Sequence, residues 1–309
     1  MPINSNTYVY KKGLVSIAIP AYKQTFLAEA IDSALGQDYD DIELIIVNDN
    51  SPYDLDNIVR RYDDKRIRYF KNKRNLGRKS VVLNWNRCLD HARGEFFVLL
   101  CDDDILMPDF VSELLKLADK FPECNVFHAR KDEKDERTGK MTDTPAWPEH
   151  ESHDDFVKHY FDNVRKHTIS EFMYRTDAIA HKKFMAFPSG FYSDDASLIV
   201  FSKNGGVASS SIPLLTFRFS NEHITSNGKY NIGKAKAMKH FLRWLENEPS
   251  CKPYYSKKKK DELDAAIEYF VQCPGWEKIL VLPYIPWTKS NLRIAWIVLV
   301  QMLLGKRKQ

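Results

Sequence analysis

Up to Arg130 the chain alternates two hydrophobic patterns. Continuous apolar runs occur at LVSIAIP (Leu14 to Pro20), IELIIVND (Ile42 to Asp49), IRYF (Ile67 to Phe70) and EFFVLLC (Glu95 to Cys101). Between and after them, FLAEAIDSAL, DLDNIVRRY, SVVLNWNRCLDHA and PDFVSELLKLADKF carry apolar residues at helical spacing, the last with proline in its first turn. Strands that are apolar throughout and separated by helices bury both sides of their pleat. They belong to a mostly parallel sheet covered on both faces. The pattern predicts an α/β fold.

Beyond Arg130 the pattern loosens. KDEKDERTGKMTDTPAWPEHESHDD (Lys131 to Asp155) is polar and punctuated by glycine and proline, and reads as a flexible excursion. His150 and His153, with Glu149 and Asp154, are expected to be solvated there rather than to hold a metal. Order returns at ISEFMYRTDAIA (Ile169 to Ala180). FPSGFYSDDASLIVFSK places Asp194 and Asp195 at the start of a helix, with Ser193 as its candidate cap. VASSS and PLLTFRF read as two strands. GKAKAMKHFLRWLEN and DELDAAIEYFVQ read as amphipathic helices, and SKKKKDEL as a solvated loop rather than a nucleic-acid patch.

Composition narrows the classes. A chain of 309 residues, 43% hydrophobic and 28% charged, holds one large α/β domain with an appendage or two modest domains. A net charge of +4 demands no polyanion, so no nucleic-acid partner is expected. The five cysteines are odd in number and scattered without a Cys-x-x-Cys pair. That argues against a disulfide framework or zinc site and for a reducing compartment. MPINSNTYVYKK lacks the apolar core of a signal peptide, and no apolar run is long enough to span a bilayer. A cytoplasmic location is expected. From Trp287 to Lys308, however, an apolar block of about half the spanning length sits between basic flanks with Trp287 and Trp296. Two readings compete: a buried core helix, and an interfacial helix holding the protein peripherally on the inner, anionic leaflet. The second is the expectation.

The chemistry gathers at the strand ends, where α/β sheets bind ligands. These ends are Pro20-Ala21-Tyr22-Lys23, Asn48-Asp49-Asn50-Ser51 and Asp102-Asp103-Asp104. Three adjacent carboxylates at a strand end repel one another unless a cation sits there or water solvates all three. Carboxylates so placed suit Mg²⁺ or Mn²⁺ shared with substrate phosphates. An aromatic can stack on a nucleobase, and an aspartate can accept from a pyrimidine N–H. No Gly-x-Gly-x-x-Gly or Gly-Lys-Ser/Thr loop is present, so metal and side chains must hold the phosphates.

SIAIPAYK, QDYDDIELIIVNDNSP and GEFFVLLCDDDILMPDF, in this order and spacing, resemble the inverting family 2 glycosyltransferases of the GT-A fold. The likeness runs from about Leu14 to Phe110, weakens from Arg130 to Ile169, and returns at FYSDDASL. It implies a GT-A domain over 1–222, with a nucleotide-sugar half (14–104) and an acceptor half (105–222), and a helical extension over 223–309. It implies a nucleotide site of Pro20, Tyr22, Asp49, Asn75, Arg78, Asp102 and Asp103. Tyr22 stacks near the uracil, Asp49 bonds its N3, and the loop KRNLGRKS closes over base and ribose. The metal, Mn²⁺ or Mg²⁺, bridges Asp104 or Asp103 to both phosphates. His223, in a loose echo of the family's late histidine motif, is a further metal or phosphate contact. Asp195 is the general base with Asp194 beside it; the competing reading is a carboxylate placed only for the helix dipole. Trp85 stands before Asn86 where the family often has a basic residue.

The implied activity is that of a hexosyltransferase. It moves sugar, with inversion, from a UDP-sugar to a glycan or lipid-linked saccharide in surface polysaccharide synthesis. Two rivals remain. A sugar nucleotidyltransferase normally has a Gly-rich basic loop where this chain has PAYKQTFLAEA, and a non-catalytic carbohydrate-binding protein needs no base.

Overall fold

The computed structural model describes residues 10–220, 231–259 and 261. The chain divides into two compact units, Met1–His223 and Ile224–Gln309. In the first, the expected alternation is present: β1 (Lys11–Ile19), α1 (Leu27–Leu35), β2 (Ile42–Asn48), α2 (Leu55–Val59), β3 (Ile67–Lys71), α3 (Val82–His91), β4 (Gly94–Leu99), β5 (Ile105–Leu106) and α4 (Phe110–Lys120). Then follow β6 (Val126–Asp135), β7 (Met141–Asp143), β8 (His150–Glu151), α5 (His153–Phe161), a 3₁₀ turn (Ile169–Glu171), β9 (Phe172–Arg175), α6 (Thr176–Ala180), α7 (Ser193–Phe201) and β10 (Val207–Phe219).

The sheet runs β3-β2-β1-β4-β9-β6-β10-β5. Strands β3, β2, β1 and β4 are mutually parallel, while β9 joins β4 and β6 in antiparallel fashion. β2 is buried along its whole length, and Val15, Ile17, Leu44 and Ile46 pack with Leu27 and Ile31 of α1. The one charge inside β2, Glu43, accepts from Ser16 Oγ (2.7 Å) and Arg68 Nη1 (2.6 Å). That pairing lets an apolar run tolerate it. The Gly-Glu pair opening β4 also has a packing cause. A Cβ on Gly94 would lie 2.4 Å from Leu14 O, and Glu95 Oε2 accepts from Gly13 N (2.8 Å).

The polar stretch 131–155 is not a flexible excursion. β6 continues to Asp135 and returns through β7, with Gly139 at φ +70 in the turn, and β8 and the start of α5 complete it. Two of its charged residues, Lys131 and Glu151, are buried, each against a partner outside the stretch. Lys131 Nζ lies 2.9 Å from Glu171 Oε1, His128 Nε2 3.1 Å from Glu171 Oε2, and Arg165 clamps both oxygens of Glu151 (2.8 and 2.6 Å). Trp147 stacks on His128 at 3.7 Å. Matched charges, not a local apolar pattern, hold Lys131 and Glu151 inside. His150 Nε2 bonds Gly205 O (2.7 Å), as does Cys124 Sγ, and His153 Nδ1 meets Ser202 Oγ (3.0 Å).

Three further expectations are corrected. VASSS and PLLTFRF form one strand, β10, whose register against β6 shifts between Ser209 and Leu215 around Pro213. A bulge there accommodates the missing N–H. Ser193 does not cap α7. Tyr192, at φ +62, precedes the helix, and Ser193 Oγ instead accepts from Phe187 N (3.1 Å). Residues 255–259 are helical rather than a loop. The second unit contains α8 (Asn231–Asn247), with Ala235, Met238, Phe241 and Leu245 buried at helical spacing, and a 3₁₀ turn (Pro249–Tyr254). His223, most of DELDAAIEYFVQ and the tail from Trp287 lie outside the described residues. The described cysteines are free thiols.

Burial alone raises the Glu171 carboxyl, but the bond to His128 and the charge of Lys131 hold it at about 2. The folded value lies below the ordinary 4.5, so the cluster stabilises the fold fully above that pH and loses its contribution as pH falls toward 2. Glu171→Gln is expected to lower unfolding free energy at pH 7 by about 3–5 kcal/mol, because Lys131 stays buried with its nearest counter-charge gone. It should also flatten the decline between pH 5 and pH 2. Urea denaturation across that range checks both; equal stability of variant and wild type at pH 7 would contradict the assignment.

Candidate active site

The carboxyl ends of β1, β2 and β4 form one rim. Asp102, Asp103 and Asp104 are 5%, 5% and 1% exposed, so the triplet is not a solvated turn. Each carboxylate has its own restraint. Asp102 Oδ2 accepts from the backbone N–H groups of Tyr22 (2.8 Å) and Lys23 (2.7 Å). The Lys23 ammonium lies 3.2 Å from Asp102 Oδ1 and bonds Asp103 Oδ2. Asp104 Oδ2 accepts from Ser170 Oγ (2.6 Å) and its Oδ1 from Arg218 N (3.2 Å). The short strand β5 creates the last contact by pairing Leu106 with Leu215 and Ile105 with Thr216 of β10. Lys23 supplies a cation from within the chain to two of the three, Asp102 and Asp103. Burial disfavours its charged form, but Asp102 and Asp103 outweigh that and hold its pKa above the usual lysine value.

Burial and the charge of Asp103 push Asp104 up to about 7, and burial raises Asp102 as well. Ligand atoms of Cys101, Asp103 and Asp104 lie within 4.8 Å of one another. Two oxygen donors crowded enough to repel are a donor set that a hard divalent cation fits, since its charge relieves the repulsion. Cys101 is a group the sequence did not single out; burial keeps its thiol protonated.

The other rim residues take more specific places. Asp49, 3% exposed, accepts from Asn72 Nδ2 (2.8 Å), Leu76 N (2.9 Å) and Gly77 N (2.7 Å). It therefore folds the loop after β3 onto the rim. Asn75 Oδ1 accepts from Arg78 N (2.8 Å), shaping the same loop. Asn72 and Asn84, bonded to each other at 2.8 Å, are further supports that went unmarked. Tyr22 is 39% exposed, its ring presented at the end of β1 beyond Pro20. Asn86, by contrast, is tied by its side chain to the backbone of Phe184 (2.9 and 2.8 Å), and Trp85 packs edge-on against Phe184. This pair on α3 is structural.

The second acidic pair opens α7. Asp195 Oδ1 lies 3.3 Å from Nε2 of His167. Burial and Asp195 push Asp194 up to about 6. His167 stands three residues before Ser170, and Ser170 also accepts from Cys101 N (3.0 Å). One short segment thus touches both acidic clusters, His167 on Asp195 and Ser170 on Asp104. Neither residue has a sequence signal, because their partners are distant along the chain.

The sheet, the acidic rim and the second carboxylate pair define the architecture of a nucleotide-sugar transferase. The profile of "Glycosyl transferase family 2" matches residues 16–184, more than half of the chain. The chain belongs to glycosyl transferase family 2. It is 40% identical over 110 residues to an uncharacterised glycosyltransferase of Rickettsia felis, a stretch covering 35% of this chain and 17% of that one. It is 37% identical over 109 residues to the GalNAc(5)-diNAcBac-PP-undecaprenol beta-1,3-glucosyltransferase of Campylobacter jejuni, covering 34% and 35%. The matched stretches span about a third or less of those relatives. Among solved structures, S. aureus TarS 1-349 in complex with UDP-GlcNAc superposes with a TM-score of 0.69 at 14% identity, over 88% of this chain and 81% of that one. The mannosyltransferase PcManGT from Pyrobaculum calidifontis, in complex with GDP-Man and Mn²⁺, gives 0.55 at 14% identity, over 93% and 79%. At such identity these show the fold alone, which is GT-A. No helix among the described residues is long and apolar enough to cross a membrane.

Proposed function

We propose that the chain transfers a sugar, with inversion, from a nucleotide-diphospho-sugar, a UDP-sugar being favoured, to a hydroxyl of a glycan or lipid-linked saccharide in surface polysaccharide synthesis. The observation that carries this reading is the pair of carboxylate clusters joined by residues 167–171, one at the nucleotide rim and one at the opening of α7. The relatives' own ligands favour the donor class: TarS is solved with UDP-GlcNAc, and PcManGT with GDP-Man and Mn²⁺. The C. jejuni relative's undecaprenol-linked substrate favours a lipid-linked acceptor.

In this reading Tyr22 offers its ring to the base, and the Asp49-organised loop with Asn75 and Arg78 covers base and ribose. Asp102 and Asp103 meet the ribose and phosphates. A divalent cation, Mn²⁺ or Mg²⁺, held by Asp103 and Asp104 supplies charge compensation for the departing diphosphate. Asp195 accepts the acceptor hydroxyl's proton as that oxygen bonds the anomeric carbon, and the bond to the diphosphate breaks with its electron pair. GT-A and extension boundaries at 222 and 223 belong to the same proposal. The test is Mn²⁺- or Mg²⁺-dependent release of nucleoside diphosphate from a panel of nucleotide sugars. Release from one of them supports it, and neither release nor binding across the panel overturns it.

We place the protein peripherally on the cytoplasmic membrane face through the segment from Trp287 to Lys308. Its aromatic, apolar and basic residues suit an anionic interface. The full chain should float with anionic liposomes, and a chain ending near Pro286 should not. Equal recovery of the two would reject the placement.

A further inference from the structure

His167 is a polar ring in an apolar cage. Its side chain is 2% exposed, and it meets Trp147 (6.4 Å, 78°) and Phe172 (5.7 Å, 82°) edge to face and Tyr160 at 6.2 Å. Among the described residues Nδ1 has no hydrogen-bond partner, and Nε2 pairs with Asp195 Oδ1 at 3.3 Å. A polar ring buried among aromatics is unfavourable unless it is paired, and the Asp195 carboxylate is the partner the structure gives it. The following residue fixes the ring's place. Thr168 caps the 3₁₀ turn, its side chain and backbone N–H both bonded to Glu171.

We propose that His167 is the positioning residue for the transfer: its caged imidazole holds one oxygen of the Asp195 carboxylate and leaves the other to accept the acceptor proton. This rests on the reading of Asp195 as the base. The acceptor proton ends on the free Asp195 oxygen, the acceptor oxygen replaces the diphosphate at the anomeric carbon, and His167 keeps its own proton throughout. The division of labour is that of a base oriented and charge-balanced by a buried partner, with the charges reversed.

The titratable groups facing the ring are Asp195 and Asp194 on α7, Glu171 on the 3₁₀ turn, His128 on β6 and Tyr160 on α5. Arg165, on the same loop, is occupied by Glu151. Burial disfavours the imidazolium, yet Asp195, then Asp194 and Glu171, outweigh it and raise His167 above its usual value. In return His167 draws Asp194 down against burial and Asp195. Losing the cation makes Asp194, beside the base, harder to ionise, so the acid limb of activity must move to higher pH.

The experiment compares His167→Gln, His167→Phe, Asp195→Asn and the double variant His167→Gln/Asp195→Asn in the full chain. The phenylalanine refills the cage should glutamine loosen it. Expected for either His167 variant are a kcat lowered roughly ten- to a hundredfold, less than loss of the base itself, a donor KM within about twofold of wild type, and an acid limb shifted upward. The double variant should be no slower than Asp195→Asn alone. An unmoved acid limb, or an equal fractional loss in the Asp195→Asn background, overturns the positioning role while leaving the base assignment standing. Full turnover by Asp195→Asn overturns the base assignment and this inference together.

Discussion

Asp104→Ala is expected to abolish metal-dependent binding of the donor while leaving the fold intact. Asp104 is 1% exposed, and its two oxygens are held by Ser170 Oγ and Arg218 N, so the carboxylate cannot turn away from Asp103. Removing it takes one of two oxygen donors from the cation. Disturbing even an outer partner of a metal ligand loses about 10–100-fold in affinity, so loss of a ligand should exceed that. Asp104→Asn keeps the side chain's shape and its contact with Arg218 N, and separates lost charge from lost packing. Both variants should fail together in calorimetry of nucleoside diphosphate with Mn²⁺. Lys23→Met makes the converse case: with no ammonium on Asp103, Mn²⁺ should bind more tightly than in wild type. Unchanged Mn²⁺-dependent diphosphate binding by Asp104→Ala would sink the metal assignment.

The rim itself was readable in the sequence because its residues occupy strand ends, and strand ends are marked by where apolar runs stop. β1, β2 and β4 could be placed from LVSIAIP, IELIIVND and EFFVLLC, and Asp49 and Asp102 to Asp104 followed from them. What could not be read was how the charges are balanced. Lys23 reads as an ordinary surface lysine in PAYK, yet it spans Asp102 and Asp103 only because β1 and β4 are neighbours. Ser170 and His167 lie in KHTISEF without a motif, and their partners Asp104 and Asp195 are reached only through the folded sheet. The same physics hid β6 and β7. Lys131 and His128 become interior residues because Glu171 waits for them, and no local pattern announces a charge partner forty residues away. β5 is two residues long, too short for any periodicity, but it carries Asp104 to β10.

Asp195→Asn is expected to lower kcat by about 10²–10⁴-fold, the usual contribution of a positioned base, with donor affinity nearly unchanged. The argument is one of access. Of the carboxylates joined by residues 167–171, the rim triplet is already engaged by Lys23, Ser170 and backbone donors. Asp195 keeps a 22% exposed side chain, and His167 pairs with its Oδ1, so in the proposed reading Oδ2 takes the substrate proton. Asparagine preserves the size of that group and removes its ability to take the proton. A carboxylate present only for the α7 dipole would behave differently. Its loss would reduce stability by about 0.3–1 kcal/mol and leave turnover almost intact. The comparison is therefore steady-state transfer and thermal unfolding on the same preparations, with Asp194→Asn alongside. If Asp194→Asn stops transfer and Asp195→Asn does not, the two exchange roles. If both variants melt lower but transfer sugar normally, α7 supplies no base and the proton must leave by another group.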